Sequence, residues 1–441
     1  MKGKTPFGSL VLALGLLLTC ACSSGAQLVV ISPHTNDIKA TIKPLFEEWY
    51  RKKTGKSISV KWINMGGSND ALKYVRSEFA KRPGGIDIDL FWGGGISPYF
   101  TLKKEGLLQR TELAPETLAA IPPVLGGVPL FDVDRQWYGS CLSCFGIMAN
   151  RSVCAARGLP VVKTWQELTS PQYADLLGSA DPRHSGSNHV AFDMILQKLG
   201  WEKGWEVLTL LAANMKRFNI SSKDVVKDLT SGDTAFCLSV DYYAWKEIEQ
   251  QGADKVAFIV PEDISMVNPD CFGVLKGAPH SAEAKLFIEF VLSPECQRVW
   301  MARAGSPGGP PSSSLYRLSI VKSVYDDIRK DTLIDFNPFT SPSGAAGYSV
   351  EKSEQLWDIT GDLFGSLLVD RHDELKQAWA RIAAGGNPPD AIAELCRMPV
   401  TEAEALQLAA QWKDPKRRND TISQWQEFAR AKYAAAAAKV K

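Results

Sequence analysis

Two adjacent tyrosines, Tyr242 and Tyr243, follow the strand-like run Ala235-Phe-Cys-Leu-Ser-Val240 and open "DYYAWKEIEQQG". Asp241 is a residue type that favours a helix N-cap, so the strand is expected to end there and a helix to begin. The switch has a chemical consequence. On a strand, neighbouring side chains face opposite ways and the two phenols could not share a ligand. In a first helical turn they lie about 100° apart and reach into one cleft. The plainer alternative places one ring in the core and the other over a surface.

Cys141-Leu-Ser-Cys144 has the spacing of a redox or metal motif. It lies in the apolar run from Trp137 to Asn150, without the helix that a thioredoxin-type CxxC needs. No second CxxC accompanies it, which argues against a zinc ribbon. Structural cysteines are the better reading. Beyond the first residues come Cys141, Cys144, Cys154, Cys237, Cys271, Cys296 and Cys396, an odd number. An oxidising compartment would allow some of them to pair. No Ser-His-Asp order, zinc spacing or close carboxylate pair stands out, and five histidines give an enzyme little material. The chain is read as non-enzymatic and without a cofactor.

Four loop-to-helix starts are built of small or polar residues. They are "SPHTND" with His34 and Thr35, "MGGSND" with Gly67 and Ser68, "DPRHSGSNH" with Ser185, Gly186 and Ser187, and "NISSKD" with Ser221 and Ser222. Helix starts leave backbone N–H groups unpaired, and each is a small anion site. Capping alone would also explain these residue types. "FWGGGISP" adds a glycine loop, Gly94 and Gly95, where a backbone can approach a ligand. His184 and His189 flank one start, and either could face a cleft. Asp241 is a cap first and a ligand contact second. Open α/β sheets bind ligands at such strand ends.

The elements that must position these residues alternate. Gln27 to Ser32 reads as a buried strand, Ile38 to Trp49 as a helix, Ser57 to Ile63 as a strand, Leu72 to Phe79 as a helix, and "IDIDLFW" as a strand. That order means βαβ units and a mainly parallel sheet. A second α/β block follows, bracketed by apolar strands at about 138–148 and 256–275. One domain is therefore inserted into another, with two crossings at a hinge. The first lobe is read as 27–140 with 273–330 and the second as 146–257. Beyond "GSPGGPPSSSL", residues 331–441 are mostly helical and are expected to pack on the first lobe, with a frayed tail.

Formal charge is +1, which leaves no basic footprint for nucleic acid. Lys2 and Lys4 precede an apolar run, Leu10 to Leu18, and small residues follow. Residues 1–22 are thus read as an export signal. Ala21 before Cys22 resembles a lipobox, with Thr19 where Leu is usual, and Cys22 is expected to be lipidated. An ordinary cleavage site at Ser24-Gly25-Ala26 competes with it. The run is too short to span a bilayer, so the membrane is met only through that anchor.

The stretches "LVVISPHTNDIKATIKPLFEEWYRKKTGKSISVKW", "IDIDLFWGGG", "FGIMANRSVCAARGLPVVKTWQELTSPQYADLLGSADPRHSGSNHVAF" and "VDYYAWKEIEQQGADKVAFIVPED" resemble the periplasmic solute-binding proteins of ABC importers, in their ferric-ion and small-ligand branch. The resemblance implies a type II, two-lobed α/β clamp, monomeric and periplasmic or cell-surface. It would deliver a small molecule or ion to a permease and an ATPase. Tyr242 and Tyr243 match the phenolate pair of ferric-ion binders, so Fe3+ is one possible cargo. The histidine of that pattern falls at Thr35, with His34 one residue off, and the glutamate falls within Gly93 to Gly95. With backbone N–H in their place, a small organic or phosphate-type anion is the favoured ligand. A ligand-sensing receptor built on the same clamp is the rival class.

Overall fold

A computed structural model describes residues 26–340 and 348–440 of the chain. Cys22 and the export signal lie outside the described residues. Among those described, no helix is long and apolar enough to cross a membrane.

The first lobe is built on three strands: Ala26–Ile31 (β1), Ile58–Ile63 (β2) and Leu90–Trp92 (β3). β1 pairs in parallel with both others, and Leu28, Val30 and Ile31 are fully buried. Asn36–Thr54 (α1) and Ser68–Lys81 (α2) make the crossovers. α1 ends at Gly55, whose φ of 72° is the left-handed cap that glycine adopts without a steric penalty. Ser97–Lys104 (α3), Pro115–Ala119 (α4) and a short hairpin, Val124–Leu125 (β4) with Val128–Pro129 (β5), lead to the long strand Tyr138–Asn150 (β6).

The second lobe carries Arg151–Ala156 (α5), Leu177–Ala180 (β7), Gly186–Leu199 (α6), Trp201–Asn214 (α7) and Met215–Asn219 (β8). Ser222–Thr230 (α8), Phe236–Val240 (β9), Asp241–Gln251 (α9) and Val256–Ile259 (β10) complete it. β7 pairs in parallel with β8 and β9. Val267–Val274 (β11) then returns to the first lobe, followed by Ser281–Val291 (α10), Pro294–Met301 (α11) and Val324–Asp327 (α12).

One sheet runs through both lobes in the order β2-β1-β3-β11-β6-β9-β7-β8, with β10 also on β6. β6 pairs antiparallel with β11 as far as Cys144, and with β9 from Phe145 onward. Pairing is parallel among β1, β2 and β3 and among β7, β8 and β9, whereas every pairing of β6 and of β11, including β10 on β6, is antiparallel. β6 leaves the first lobe and β11 comes back, and two such crossings must run in opposite directions. The mainly parallel expectation therefore holds only within those two sets of three strands.

The C-terminal helices are Val350–Phe364 (α13), a π turn at Gly365–Val369, His372–Ala384 (α14), Pro389–Cys396 (α15), Glu402–Ala409 (α16) and Pro415–Ala438 (α17). The expectation that they pack on the first lobe holds only for α13, which lies between α3 of the first lobe and α6 of the second; the rest is corrected, since α14, α15 and the π turn pack on α7. The cause is α7 itself. Trp205, Val207, Leu208, Leu210, Leu211 and Ala212 are all buried, and a helix apolar all round needs cover on every side. The tail is not frayed: α17 runs to Ala438, with Ala436 and Val440 buried.

Cys141, Cys144, Cys154, Cys237, Cys271, Cys296 and Cys396 are unpaired, so no disulfide joins the described cysteines. Cys141 and Cys144 lie inside β6, and burial pushes both thiols up to about 12.

Candidate functional site

A cleft of about 470 Å³ opens between the lobes, and five helix starts converge on it. Its walls carry Thr35 from α1, Gly67 and Ser68 from α2, Ser185, Gly186 and Ser187 from α6, Ser221, Ser222 and Lys223 from α8, and Tyr242 and Tyr243 from α9. Gly94, Gly95, His34, Asn268, Asp270 and Arg317 lie deeper. The lobes meet closely at the rim. A Cβ on Gly67 would come within 2.8 Å of the His184 carbonyl oxygen, and one on Gly186 would run into Ser68 Oγ. Lys246 of α9 pairs with Asp37 of α1 across the gap.

The four starts named above differ in how they are capped. Ser185 and Ser221 accept backbone N–H bonds at the heads of α6 and α8. Thr35 and Gly67 provide no side-chain cap for α1 and α2, so N–H groups at those ends keep their bonding capacity for something else. On the second lobe three hydroxyls gather: Ser185 and Ser187 Oγ lie 3.1 and 3.2 Å from Ser222 Oγ. Asn188 fixes this group. Its Oδ1 accepts from Ser179 Oγ at 2.8 Å, which turns its Nδ2 toward Ser185 at 2.9 Å and Ser222 at 3.0 Å.

The floor is a charged network that the sequence reading missed. Asp270 of β11 takes the Gly94 N–H at 2.6 Å, the Gly95 N–H at 3.3 Å and His34 Nε2 at 2.8 Å, and lies 3.3 Å from Arg317 Nη1. Burial alone would raise the Asp270 carboxyl. The contacts with His34, Arg317 and the Gly95 N–H outweigh that and hold it below the ordinary carboxylate range. Burial lowers the His34 pKa, against the pull of Asp270, so the ring is neutral. The ionised carboxylate only accepts, hence His34 carries its proton on Nε2, and Nδ1, 2.9 Å from Ser32 Oγ, accepts from that hydroxyl.

Arg317 is 5% exposed, donates to Ser143 Oγ at 3.0 Å, and keeps a buried Nε–H without a partner. Its guanidinium stacks on the Tyr242 ring, whose centroid is 4.3 Å from that of Tyr243. Burial raises the Tyr242 phenol well above its ordinary value and raises that of Tyr243 too, so both are neutral donors. Lys39 is buried behind Ser32, and its pKa is lowered first by burial and then by Lys223 of the other lobe. Like charges thus face each other across the cleft.

Three expectations change. The glycine loop lines the cleft, but its N–H groups do not point at a ligand: those of Gly94 and Gly95 go to Asp270 and that of Gly93 goes to the Cys271 carbonyl. Asp241 neither caps α9 nor lines the cleft. Its carboxylate turns inward, accepting the Cys144 N–H at 3.0 Å and the Tyr242 N–H at 2.8 Å. His34 is a structural donor with both ring nitrogens engaged. Of the flanking histidines, His184 lines the cleft and His189 is buried. A signal for Arg317 was present in "LYRLSIV", a single charge inside an apolar run, since buried charges are rare without a purpose.

A clamp of two α/β lobes with a polar cleft at its hinge is the solute-binding fold, and the chain belongs to the bacterial extracellular solute-binding proteins: that family's model matches residues 94–317. It is thus a binding protein rather than an enzyme. Among curated proteins it is similar to the phosphoglycerate transport regulatory protein PgtC of Salmonella typhimurium, 33% identical over 158 residues. That match covers 36% of this chain and only 39% of the relative's length. An uncharacterised protein of Haemophilus influenzae is 24% identical over 295 residues, 66% of this chain and 79% of the relative. Among solved structures, the periplasmic binding protein AfuA of Actinobacillus pleuropneumoniae, with exogenous fructose-6-phosphate bound, covers 73% of this chain and 95% of its own, with a TM-score of 0.58 at 21% identity. Iron-bound HitA of Pseudomonas aeruginosa covers 76% and 99%, with a TM-score of 0.57 at 18% identity. Identities this low establish the fold alone.

Proposed function

We propose that the protein captures a small phosphorylated anion, of the size of a phosphoglycerate or a sugar phosphate, for a membrane permease and its ATPase. The observation that carries this reading is Arg317: a buried cation at the cleft floor, stacked on Tyr242, with an Nε–H left unpartnered. A guanidinium fork suits phosphate and carboxylate geometry. Two uncapped helix starts, the three serine hydroxyls and two neutral phenols supply further donors around it. Lys223 and Lys39 repel each other, a repulsion that a bound anion would relieve. Two similar proteins, one named for phosphoglycerate transport and one solved with fructose-6-phosphate bound, agree with this chemistry.

Titration calorimetry with 3-phosphoglycerate, fructose 6-phosphate, glycerate and inorganic phosphate tests it. Phosphorylated ligands should bind at least about 100-fold more tightly than glycerate, or roughly 2.7 kcal/mol. Equal affinity for glycerate and phosphoglycerate would sink the proposal.

Ferric iron as cargo is the second reading, favoured by the two phenols standing side by side on the cleft wall. Against it, burial disfavours the phenolate form, and His34 has no free ring nitrogen. We also infer export, with Cys22 as a lipidated N-terminus and the protein acting as a monomer. Mass analysis of the mature chain reads the first point, and a lipid-free start at Ser23 or Gln27 refutes it. A regulatory receptor role is the remaining alternative, in keeping with the name of the PgtC relative.

A further inference from the structure

The loop that carries Ser185 and Ser187 into the cleft is gripped from behind, once on each side of the serines. Before them, Arg183 forks between two carboxylates: Nη2 lies 2.7 Å from Asp181 Oδ2 and 2.8 Å from Asp370 Oδ1. Asp370 follows the π turn and also accepts from Gln426 of α17 at 2.9 Å. After them, His189 in the first turns of α6 lies 3.1 Å from Thr360 Oγ1 and stacks on Trp357, with centroids 3.7 Å apart and planes 7° from parallel.

Glycines in the C-terminal helices leave room for both contacts. Gly361 and Gly365 lie one turn apart, on one face. A Cβ at 361 would come within 3.1 Å of His189 Cε1, and one at 365 within 2.5 Å of Arg183 Cζ. Gly365 has φ −56° and ψ −53°, a right-handed helical conformation open to any residue. Its backbone does not call for glycine; the guanidinium above it does. The π turn begins at the same residue, and such turns recur at functional sites.

We propose that the C-terminal helices are part of the binding machinery. The Gly361–Gly365 face holds Arg183 and His189 as positioning residues for the serine loop, and so couples occupancy of the cleft to docking of α13 and the π turn. The proposal rests on the reading that this loop contacts the anion. A loop already ordered by the grip loses less freedom when the ligand arrives. By reciprocity the ligand must tighten the grip as much as the grip tightens the ligand. Occupancy then registers on helices remote from the cleft mouth, where a membrane partner could read it.

Gly365→Ala is the sharpest test, because alanine is the stronger helix former and any loss must come from displacing Arg183. In ligand-free protein, amide exchange over 184–190 should quicken about fivefold or more in this variant and in Asp370→Asn. Affinity for 3-phosphoglycerate should fall about three- to tenfold in both, and Asp370→Glu should restore part of it. In the unaltered protein, 3-phosphoglycerate should slow exchange over 355–370. Unchanged exchange over 184–190 in both variants overturns the grip, whatever the ligand. Tight binding of 3-phosphoglycerate with no added protection at 355–370, and affinities within about twofold of the parent, overturns the coupling while sparing the ligand reading. If the parent protein binds no phosphorylated acid, the ligand reading fails and the ligand-free exchange arm decides the grip alone. Should Gly365→Ala fail to fold, Asp370→Asn, a change at an exposed residue, gives the same readouts.

Discussion

The guanidinium carbon of Arg317 lies 3.5 Å from the centroid of the Tyr242 ring. The two residues are far apart in sequence, one beyond the return strand β11 and the other in the first turn of α9. Together they close the floor of the cleft from opposite lobes. The guanidinium shares its charge with Asp270, 3.3 Å from Nη1, and the stacked, buried fork still carries the unpartnered Nε–H as a donor.

Replacing Arg317 with glutamine should therefore weaken binding of 3-phosphoglycerate by about 100-fold or more, as expected for loss of a charged hydrogen-bond partner. Arg317→Lys keeps the charge but loses the fork and the stack, and should recover only part of that. Calorimetry on the folded variants checks both. Affinity retained within about fivefold in Arg317→Gln would remove this residue from the site.

Tyr242→Phe and Tyr243→Phe separate the two cargo readings. With an anion in the cleft, each lost donor should cost about 1.5 to 3 kcal/mol, and the protein stays colourless. With iron, the loaded protein should absorb in the visible through tyrosinate ligation, and both variants should lose that band. A visible band bleached by citrate would decide for the metal.

Cys141 and Cys144 should be dispensable for binding. They are buried in β6 with thiols pushed up to about 12, which leaves almost no thiolate for redox or metal chemistry near neutral pH. The double serine variant is expected to bind 3-phosphoglycerate within about tenfold of the parent, or 1.4 kcal/mol. A folded double variant that binds nothing would give these thiols a role that the geometry does not predict.

Asp241 should make stability depend on pH. Burial pushes its carboxyl up to about 7, against the opposing effects of the Cys144 N–H, Arg317 and the Tyr242 N–H. In the unfolded chain it titrates near 3.9. Between those values the native state holds a proton that the unfolded state has released. The contribution is therefore complete below about pH 4 and is lost as pH rises through about 7. Melting temperatures measured from about pH 4.5 to 8 should fall more steeply for the parent than for Asp241→Asn. Parallel curves would show that the carboxyl titrates normally.

What could be read from the sequence was local. Ser185 and Ser221 are capping residues, and capping depends on a few neighbouring atoms, so the helix heads at the cleft were legible from "RHSGSN" and "NISSKD". Placing Tyr242 and Tyr243 in a first helical turn needed only the end of a strand. The floor was not legible, because Asp270 takes its partners from His34, the glycine loop and Arg317, three distant segments. The same is true of Asp241, whose carboxylate takes a backbone N–H on distant β6 as well as the Tyr242 N–H beside it. For the C-terminal helices, the signal was in "VLTLLAA", nearly apolar all round, which already called for a covering layer on the second lobe.

The unpaired cysteines bear on how the chain must mature. Among the described cysteines, all but Cys154 are buried in the folded protein, where an oxidant cannot reach them. A newly exported chain shows every one of these thiols to an oxidising surrounding before any core exists. Folding and oxidation then race, and each wrong cross-link formed early would trap the chain outside its native basin. Once the core has closed, the same thiols are shielded. Reductant should therefore raise the yield of active protein when present during refolding and make no difference when added afterwards.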